Sequence, residues 1–116
     1  MQTKEEALAK LKKSKFRSSF HLDGKDIAYI EEKGMDRIRI HAEDFVRKRL
    51  APPAGQGDGK QTPFRGHPVF KAQHACAFCC RNCMKKWYKV DERIELSEDI
   101  QRRIVDFLMF WIENNK

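Results

Sequence analysis

The sequence predicts a mainly α-helical domain that is stabilised by a metal ion bound at a single site. Apolar residues recur at helical spacing in several segments, residues typical of helix caps precede them, and all four cysteines lie within residues 76–83. Leu, Ile, Val and Phe supply 26 of the 116 residues, which is enough for a hydrophobic core. We therefore expect one compact domain over residues 1–116, with about five helices, a long loop and a Cys/His metal knuckle.

The first two predicted helices are defined by their caps. Thr3 and Glu6 fit a capping box at the start of a short amphipathic helix. Asp23 can cap a second helix, and Gly34 is placed to end it, because glycine readily adopts the left-handed conformation found there. The segment between the two helices is expected to be a linker.

A third helix is predicted from about Met35 to Leu50, where apolar residues follow the i, i+4, i+7, i+8 pattern. The prolines at 52 and 53 end it. Residues 51–68 are rich in Gly and Pro and predict a long loop. Residues 88–96 are compatible with at most one short strand.

Two further helices are predicted in the C-terminal half, one over "VFKAQHACAF" and one that begins after Ser97. The last helix has an inward stripe formed by Ile100, Ile104, Phe107, Leu108 and Trp111. It also has apolar residues on its other faces, so either the first helix covers a second face or two copies of the chain form a homodimer through this helix.

The cysteines follow the pattern Cys76-x2-Cys79 and Cys80-x2-Cys83. On one unbroken helix Cys76 and Cys83 would be ~10.5 Å apart along the axis, too far to share a metal whose bonds to sulfur are ~2.3 Å. A break near Cys79 and Cys80 would let Cys80 and Cys83 bind together.

We therefore predict a zinc site formed by His67, His74, Cys80 and Cys83, since two imidazoles and two thiolates suit zinc. Cys79 can replace one of these ligands. The competing interpretations are a buried helix face rich in cysteine and a redox or iron–sulfur site.

The net charge of +7 favours an anionic partner, with nucleic acid first. The predicted phosphate contacts lie in two basic groups: Arg47, Lys48 and Arg49, then Arg81, Lys85 and Lys86. The first functional hypothesis is thus a metal-stabilised module that binds nucleic acid. The alternative is a metal-dependent hydrolase or nuclease, although residues 63–90 contain no Asp or Glu to act as a base.

The sequence identifies no catalytic residue and leaves open whether the chain is an enzyme. No signal peptide is visible, and the longest apolar run, "IVDFLMFWI", is about half of the ~20 residues that a membrane span needs. We expect a cytoplasmic protein that does not enter the membrane. In the reducing cytoplasm, four close cysteines favour metal binding over disulfides.

The chain resembles a family of small bacterial proteins that is described only as a domain of unknown function. The resemblance lies in "GHPVF" at 66–70, "QHA" at 73–75, Cys79-Cys80-Arg81-x-Cys83 and Trp87, with "HAEDFVRKRLAP" upstream. In that family, Thr usually stands where this chain has Cys76, and His where it has Tyr88. The resemblance therefore implies a shared fold and site in which Cys76 is not an essential ligand, and it implies no activity.

Overall fold

The computed structural model describes residues 3–53 and 62–116, and within these ranges the chain is mainly helical and has no strand. Seven α-helices and one π-helical turn are present: α1 Lys4–Lys12, α2 Lys15–Ser18, α3 Gly24–Lys33, α4 Met35–Phe45, the π turn Val46–Leu50, α5 Pro68–Ala75, α6 Arg81–Tyr88 and α7 Glu98–Asn115. The prediction of a mainly helical fold is confirmed. The two helices beyond the expected five are α2 and α6.

Thr3 and Asp23 cap α1 and α3 as predicted, but at α1 the Glu6 carboxylate accepts a hydrogen bond from the Thr3 hydroxyl, so the two residues form only half of the predicted capping box. The hydroxyl of Thr3 accepts a hydrogen bond from the backbone N–H of Glu6. Asp23 and Asp26 form a complete capping box at the start of α3. Gly34 follows α3 with φ +82°, a conformation that costs other residues energy, and α4 begins directly after it.

The segment expected to be a plain linker contains α2. The hydroxyl of Ser14 accepts a hydrogen bond from the backbone N–H of Arg17 and so caps this single turn. The turn packs against α1 and α5 and directs Arg17 into the interior. A four-residue helix has too few positions for a recognisable apolar period, so the sequence pattern did not reveal it.

The third predicted helix continues to Leu50, but its last five residues form the π turn. Both Val46 and Leu50 are buried there, and the N–H of Ala51 bonds to the carbonyl of Val46, five residues back. Of the predicted loop 51–68, residues 54–61 lie outside the described residues. Pro68 occupies the first turn of α5, where its missing N–H costs nothing.

Helix α7 forms one side of the core and packs against α4, α5 and the π turn. Four of the five residues predicted to form its inward stripe are buried, and Ile100 is the exception with 38% exposure. Val105, Met109 and Ile112 are buried as well. A single chain therefore covers more than one face of α7, while the predicted homodimer stays a prediction.

Arg81 joins the start of α6 to two loops. Its guanidinium donates hydrogen bonds to the carbonyls of Leu50, Ala51 and Pro52 on one side. On the other side it donates to the carbonyls of Asp91 and Ile94. The side chain is buried, so these five carbonyls replace its hydration. None of the helices in the described ranges is long and apolar enough to span a bilayer.

Candidate metal centre

Three thiols converge at the junction of α5 and α6. The Sγ atoms of Cys79, Cys80 and Cys83 all lie within 4.8 Å of one another, and they are the only such group of three or more potential ligands in the described residues. Two thiolates bound ~2.3 Å from one tetrahedral ion are ~3.8 Å apart, so only small movements would bring the three sulfurs onto one metal. The cluster can hold a metal ion.

The helical break that the spacing argument required is present. Helix α5 ends at Ala75, and Ala77 has φ +63°, which turns the chain away from the helical path. Cys80 then caps α6, and its Sγ accepts a hydrogen bond from the backbone N–H of Cys83 at 3.4 Å. The cap places Cys80 and Cys83 on the same side of the turn, and Cys79 precedes them.

A buried arginine lies against the thiols. Arg17 donates to the Sγ of Cys83 at 3.1 Å and to the Sγ of Cys79 at 3.4 Å. The same guanidinium donates to the backbone carbonyl of His74 at 2.7 Å. Arg17 is 7% exposed, so its positive charge is poorly hydrated and is stabilised chiefly by these acceptors. The arrangement favours negative charge on sulfur.

The three thiols respond unequally to this environment. Burial raises the pKa of Cys79 to about 12, against the opposing effect of the Arg17 hydrogen bond. Burial also raises the pKa of Cys80. For Cys83 burial acts in the same direction, but the hydrogen bonds from Arg17 and from the two neighbouring thiols outweigh it, and its pKa is lowered. The cluster therefore loses its first proton at Cys83, the thiol closest to Arg17.

Cys76 does not belong to the cluster. It is fully buried, and burial raises its pKa well above the usual range of a thiol. Its backbone carbonyl accepts a hydrogen bond from the hydroxyl of Tyr88 at 2.5 Å. Tyr88 stacks on Phe78, with 4.6 Å between the ring centroids. Cys76 thus fills space in the core, next to the site.

The structure places His74 beside the cluster but outside the group of converging ligand atoms. Its Nε2 donates to the carbonyl of Thr62 at 2.8 Å, which leaves Nδ1 with a lone pair. Nδ1 is buried and has no hydrogen-bond partner in the described ranges. Burial lowers the pKa of His74, so the imidazole is neutral at pH 7. A neutral imidazole oriented by a carbonyl is typical of metal-binding histidines.

His67 occupies a different place. Its Nδ1 accepts a hydrogen bond from the backbone N–H of Val69, so His67 caps α5. Its Nε2 lies 2.9 Å from Nδ1 of His41. Burial, together with the nearby His41, lowers the pKa of His67 to about 4. Since Nδ1 accepts a hydrogen bond, the neutral ring carries its proton on Nε2, and this N–H donates a hydrogen bond to Nδ1 of His41.

The predicted phosphate contacts are distributed unevenly. Lys48 and Lys86 are exposed, whereas Arg47 and Lys85 are exposed and paired with Asp44 and Glu92, respectively. Arg49 is half-buried, with its guanidinium over the rings of Phe45 and Phe70. Arg81 is buried, its two terminal guanidinium nitrogens donate to the five carbonyls described above, and it is not presented to a phosphate.

The sequence as a whole matches one protein family. The model of the family described as domain of unknown function (DUF4186) covers residues 5–113. The chain belongs to this family. The family description gives no activity, and no solved structure matches the chain. The function must therefore be inferred from the site itself.

Sequence reasoning missed Arg17, which lies 62 residues before Cys79 and in a helix that has no recognisable pattern. Cys79 is predicted from the sequence only as a replacement ligand, and the structure brings it together with Cys80 and Cys83. The backbone reversal at Ala77 turns Cys79 towards the other two thiols. No spacing rule distinguishes Cys79 from Cys76, because each begins or ends a Cys-x2-Cys pair.

Proposed function

We propose that this protein is a small helical zinc-binding protein and that Cys79, Cys80 and Cys83 supply the thiolates. The convergence of the three Sγ atoms within 4.8 Å carries the proposal. Thiolates are soft ligands, and sites rich in them bind zinc or iron–sulfur clusters more readily than magnesium or calcium. Zinc is the simplest fit, because one ion needs no further inorganic component.

Charge balance supports the same assignment. A divalent ion with three thiolates has a net charge of −1, and Arg17 supplies +1 against two of those sulfurs. The metal–thiolate group together with Arg17 would then be neutral, which reduces the cost of its burial. Without the metal, Arg17 favours a single thiolate, at Cys83.

Three thiolates leave one position of a tetrahedron for another ligand. His74 is the predicted residue that best suits it, because its Nδ1 is buried and accepts no hydrogen bond in the described ranges. Its side chain would have to move closer to the thiols, since it lies outside their group. Otherwise water would take the position. His67 is less suited, because both of its ring nitrogens already have partners.

The zinc would be mainly structural and would stabilise the fold. The thiols lie at the break between α5 and α6, and Arg17 ties the same point to α2. A metal there would fix the turn that joins three helices. The alternative of a metal-dependent hydrolase has less support, because the cluster contains no carboxylate that could act as a general base.

Metal analysis of protein purified without chelator tests this proposal. We expect about one zinc per chain. Cys79→Ser, Cys80→Ser and Cys83→Ser should each reduce the zinc content strongly, and Cys76→Ala is the matched control that should retain it. Protein that is folded and free of metal in zinc-supplemented buffer would contradict the proposal.

The second candidate function is the binding of nucleic acid by the metal-stabilised domain. The supporting observation is that Arg81, at the start of α6, donates hydrogen bonds to the carbonyls of Leu50 and Ala51 at the end of the π turn. These bonds hold the exposed cations of the two elements in fixed relative positions. Arg47, Lys48, Lys85 and Lys86 would provide the phosphate contacts. Fluorescence anisotropy with random DNA and RNA at low salt tests it, and Lys48→Glu with Lys86→Glu should weaken any binding. Absence of binding at low salt would leave the metal site as the sole proposed function.

A further inference from the structure

The cysteine cluster contains a pair of thiols that can react with an external molecule. Cys80 and Cys83 are half-exposed, whereas Cys79 and Cys76 are buried. The Sγ atoms of Cys80 and Cys83 lie within 4.8 Å of each other at the first turn of α6. We infer that this pair exchanges with low-molecular-weight disulfides and forms a Cys80–Cys83 disulfide. This activity goes beyond the proposed metal binding, because the thiols alone perform it.

Cys83 is the attacking group. Nη2 of Arg17 donates to its Sγ at 3.1 Å, the shortest hydrogen bond to sulfur in the described part of the chain. A thiolate held by a guanidinium is the nucleophilic form of cysteine. Because Cys83 is also partly exposed, a small disulfide can reach it from solvent.

The exchange proceeds in two balanced steps. The Cys83 thiolate attacks one sulfur of a disulfide R–S–S–R, forms the mixed disulfide Cys83–S–S–R and releases RS⁻. Cys80 then loses its proton to solvent, attacks the Cys83 sulfur and releases a second RS⁻. The two protein thiols are oxidised, the external disulfide is reduced, and the two released thiolates take up the two protons as RSH.

Arg17 selects Cys80 rather than Cys79 as the second partner. A disulfide between Cys79 and Cys83 would remove both sulfur acceptors of a buried guanidinium and leave it one carbonyl, that of His74. Leaving a buried charge short of partners is costly. A Cys80–Cys83 disulfide leaves Cys79 and the His74 carbonyl in place. Its spacing, with two residues between the cysteines, is also that of the Cys-x2-Cys motif of disulfide oxidoreductases.

The disulfide and the metal exclude each other. Two of the three thiolates in the proposed zinc site become bonded to each other, so oxidation would release a bound ion. Zinc content and disulfide content are separate measurements, and therefore failure of one proposal can be distinguished from failure of the other.

The test uses the full chain as purified, with its metal content measured beforehand and its fold checked by circular dichroism. Glutathione disulfide is the probe. After incubation, free thiols are alkylated and peptides are mapped by mass spectrometry. We expect a Cys80–Cys83 disulfide with Cys76 and Cys79 alkylated, and one zinc released for each disulfide formed if zinc was present. A disulfide that includes Cys79, a stable glutathione adduct in the unmutated protein, or no reaction would each overturn the inference.

Variants establish the order of attack. Cys80→Ser should accumulate the glutathione adduct on Cys83, whereas Cys83→Ser should leave Cys80 reduced over the same time. Arg17→Met should slow the reaction by about tenfold, because it removes a hydrogen bond from a charged donor, and Arg17→Lys should slow it less. Cys76→Ala is the control and should react like the unmutated protein. Adduct formation at Cys80 in Cys83→Ser at the normal rate would overturn the assignment of Cys83.

Discussion

In the described part of the chain, the three cluster thiols and the His41–His67 pair are both groups of potential metal ligands, and they differ in the lone pairs that remain available. At the α5–α6 junction, three sulfur atoms converge on one point and face a cation. At the start of α5, Nε2 of His67 and Nδ1 of His41 lie 2.9 Å apart and bond to each other, while Nδ1 of His67 accepts a hydrogen bond from the backbone N–H of Val69. The residue type alone therefore does not define a metal site. The ligand atom must also keep a lone pair after its hydrogen bonds are made, as a thiolate sulfur does and the single acceptor nitrogen of a neutral imidazole does not.

Of the changes considered, loss of a cluster thiol should reduce the stability of the folded protein the most. Cys83→Ser removes both a metal ligand and an acceptor of Arg17, so zinc binding no longer stabilises the fold. Where free zinc exceeds the dissociation constant a thousandfold, the lost stabilisation is ~4 kcal/mol. Urea unfolding in zinc-supplemented buffer and in chelator measures it. The unmutated protein should show a large difference between the two buffers, and Cys83→Ser should show almost none.

Lowering the pH should destabilise the folded protein through His67. The pKa of His67 is about 4 in the folded protein and ~6.5 in the unfolded chain, so the unfolded chain binds the proton more tightly. The stabilisation is therefore complete above about pH 6.5 and is lost as the pH falls towards 4, a change of about 3 kcal/mol at most. His74, whose pKa is also lowered, acts in the same direction.

Urea unfolding at several pH values between 4.5 and 7.5, in metal-free buffer, checks this expectation. His67→Gln cannot take up the proton and should show a shallower decline in stability. If the variant and the unmutated protein decline in parallel, His67 is not the source of the pH dependence.

Removing the imidazole at pH 7 should have a moderate effect. His67→Ala deletes the cap of α5 and the hydrogen bond to His41, and loss of an N-cap costs ~1–2 kcal/mol. Zinc content should not change. If His67→Ala lost its zinc while the protein stayed folded, His67 would be a ligand, as the sequence analysis predicted, and the contrast between the two groups would fail.

Cys76→Ala should have the smallest effect. The residue is fully buried beside the cluster but contributes no converging sulfur. Its replacement removes one buried atom, which costs ~1 kcal/mol. Thermal unfolding and metal analysis together check it, and a loss of zinc comparable to that of Cys83→Ser would place Cys76 among the ligands.

Features set by local chemistry were predictable from the sequence. Thr3, Asp23 and Ser97 cap helices as their spacing to later residues suggested. The break before α6 followed from a distance, because an unbroken helix keeps Cys76 and Cys83 too far apart. The presence of Cys80 and Cys83 in one cluster followed from that break.

Features that depend on distant contacts were not predictable. Arg17 approaches the thiols only because α2 packs against α5, and no local pattern reports such packing. Arg81 looked like one of several surface cations, yet the carbonyls of two loops enclose it. The π turn also escaped prediction, because Val46 and Leu50 have the spacing of an ordinary helix.

The contacts of Arg81 also have a consequence for the order in which the chain folds. Its acceptors lie about 30 residues upstream, at Leu50 to Pro52, and 10 to 13 residues downstream, at Asp91 and Ile94. The downstream carbonyls leave the ribosome after Arg81 itself, so the guanidinium has only part of its partners while the chain is being made. A buried cation with part of its partners is unstable, and closing the upstream loop also costs entropy. We therefore expect the full set of Arg81 contacts to form only after Ile94 has emerged from the ribosome.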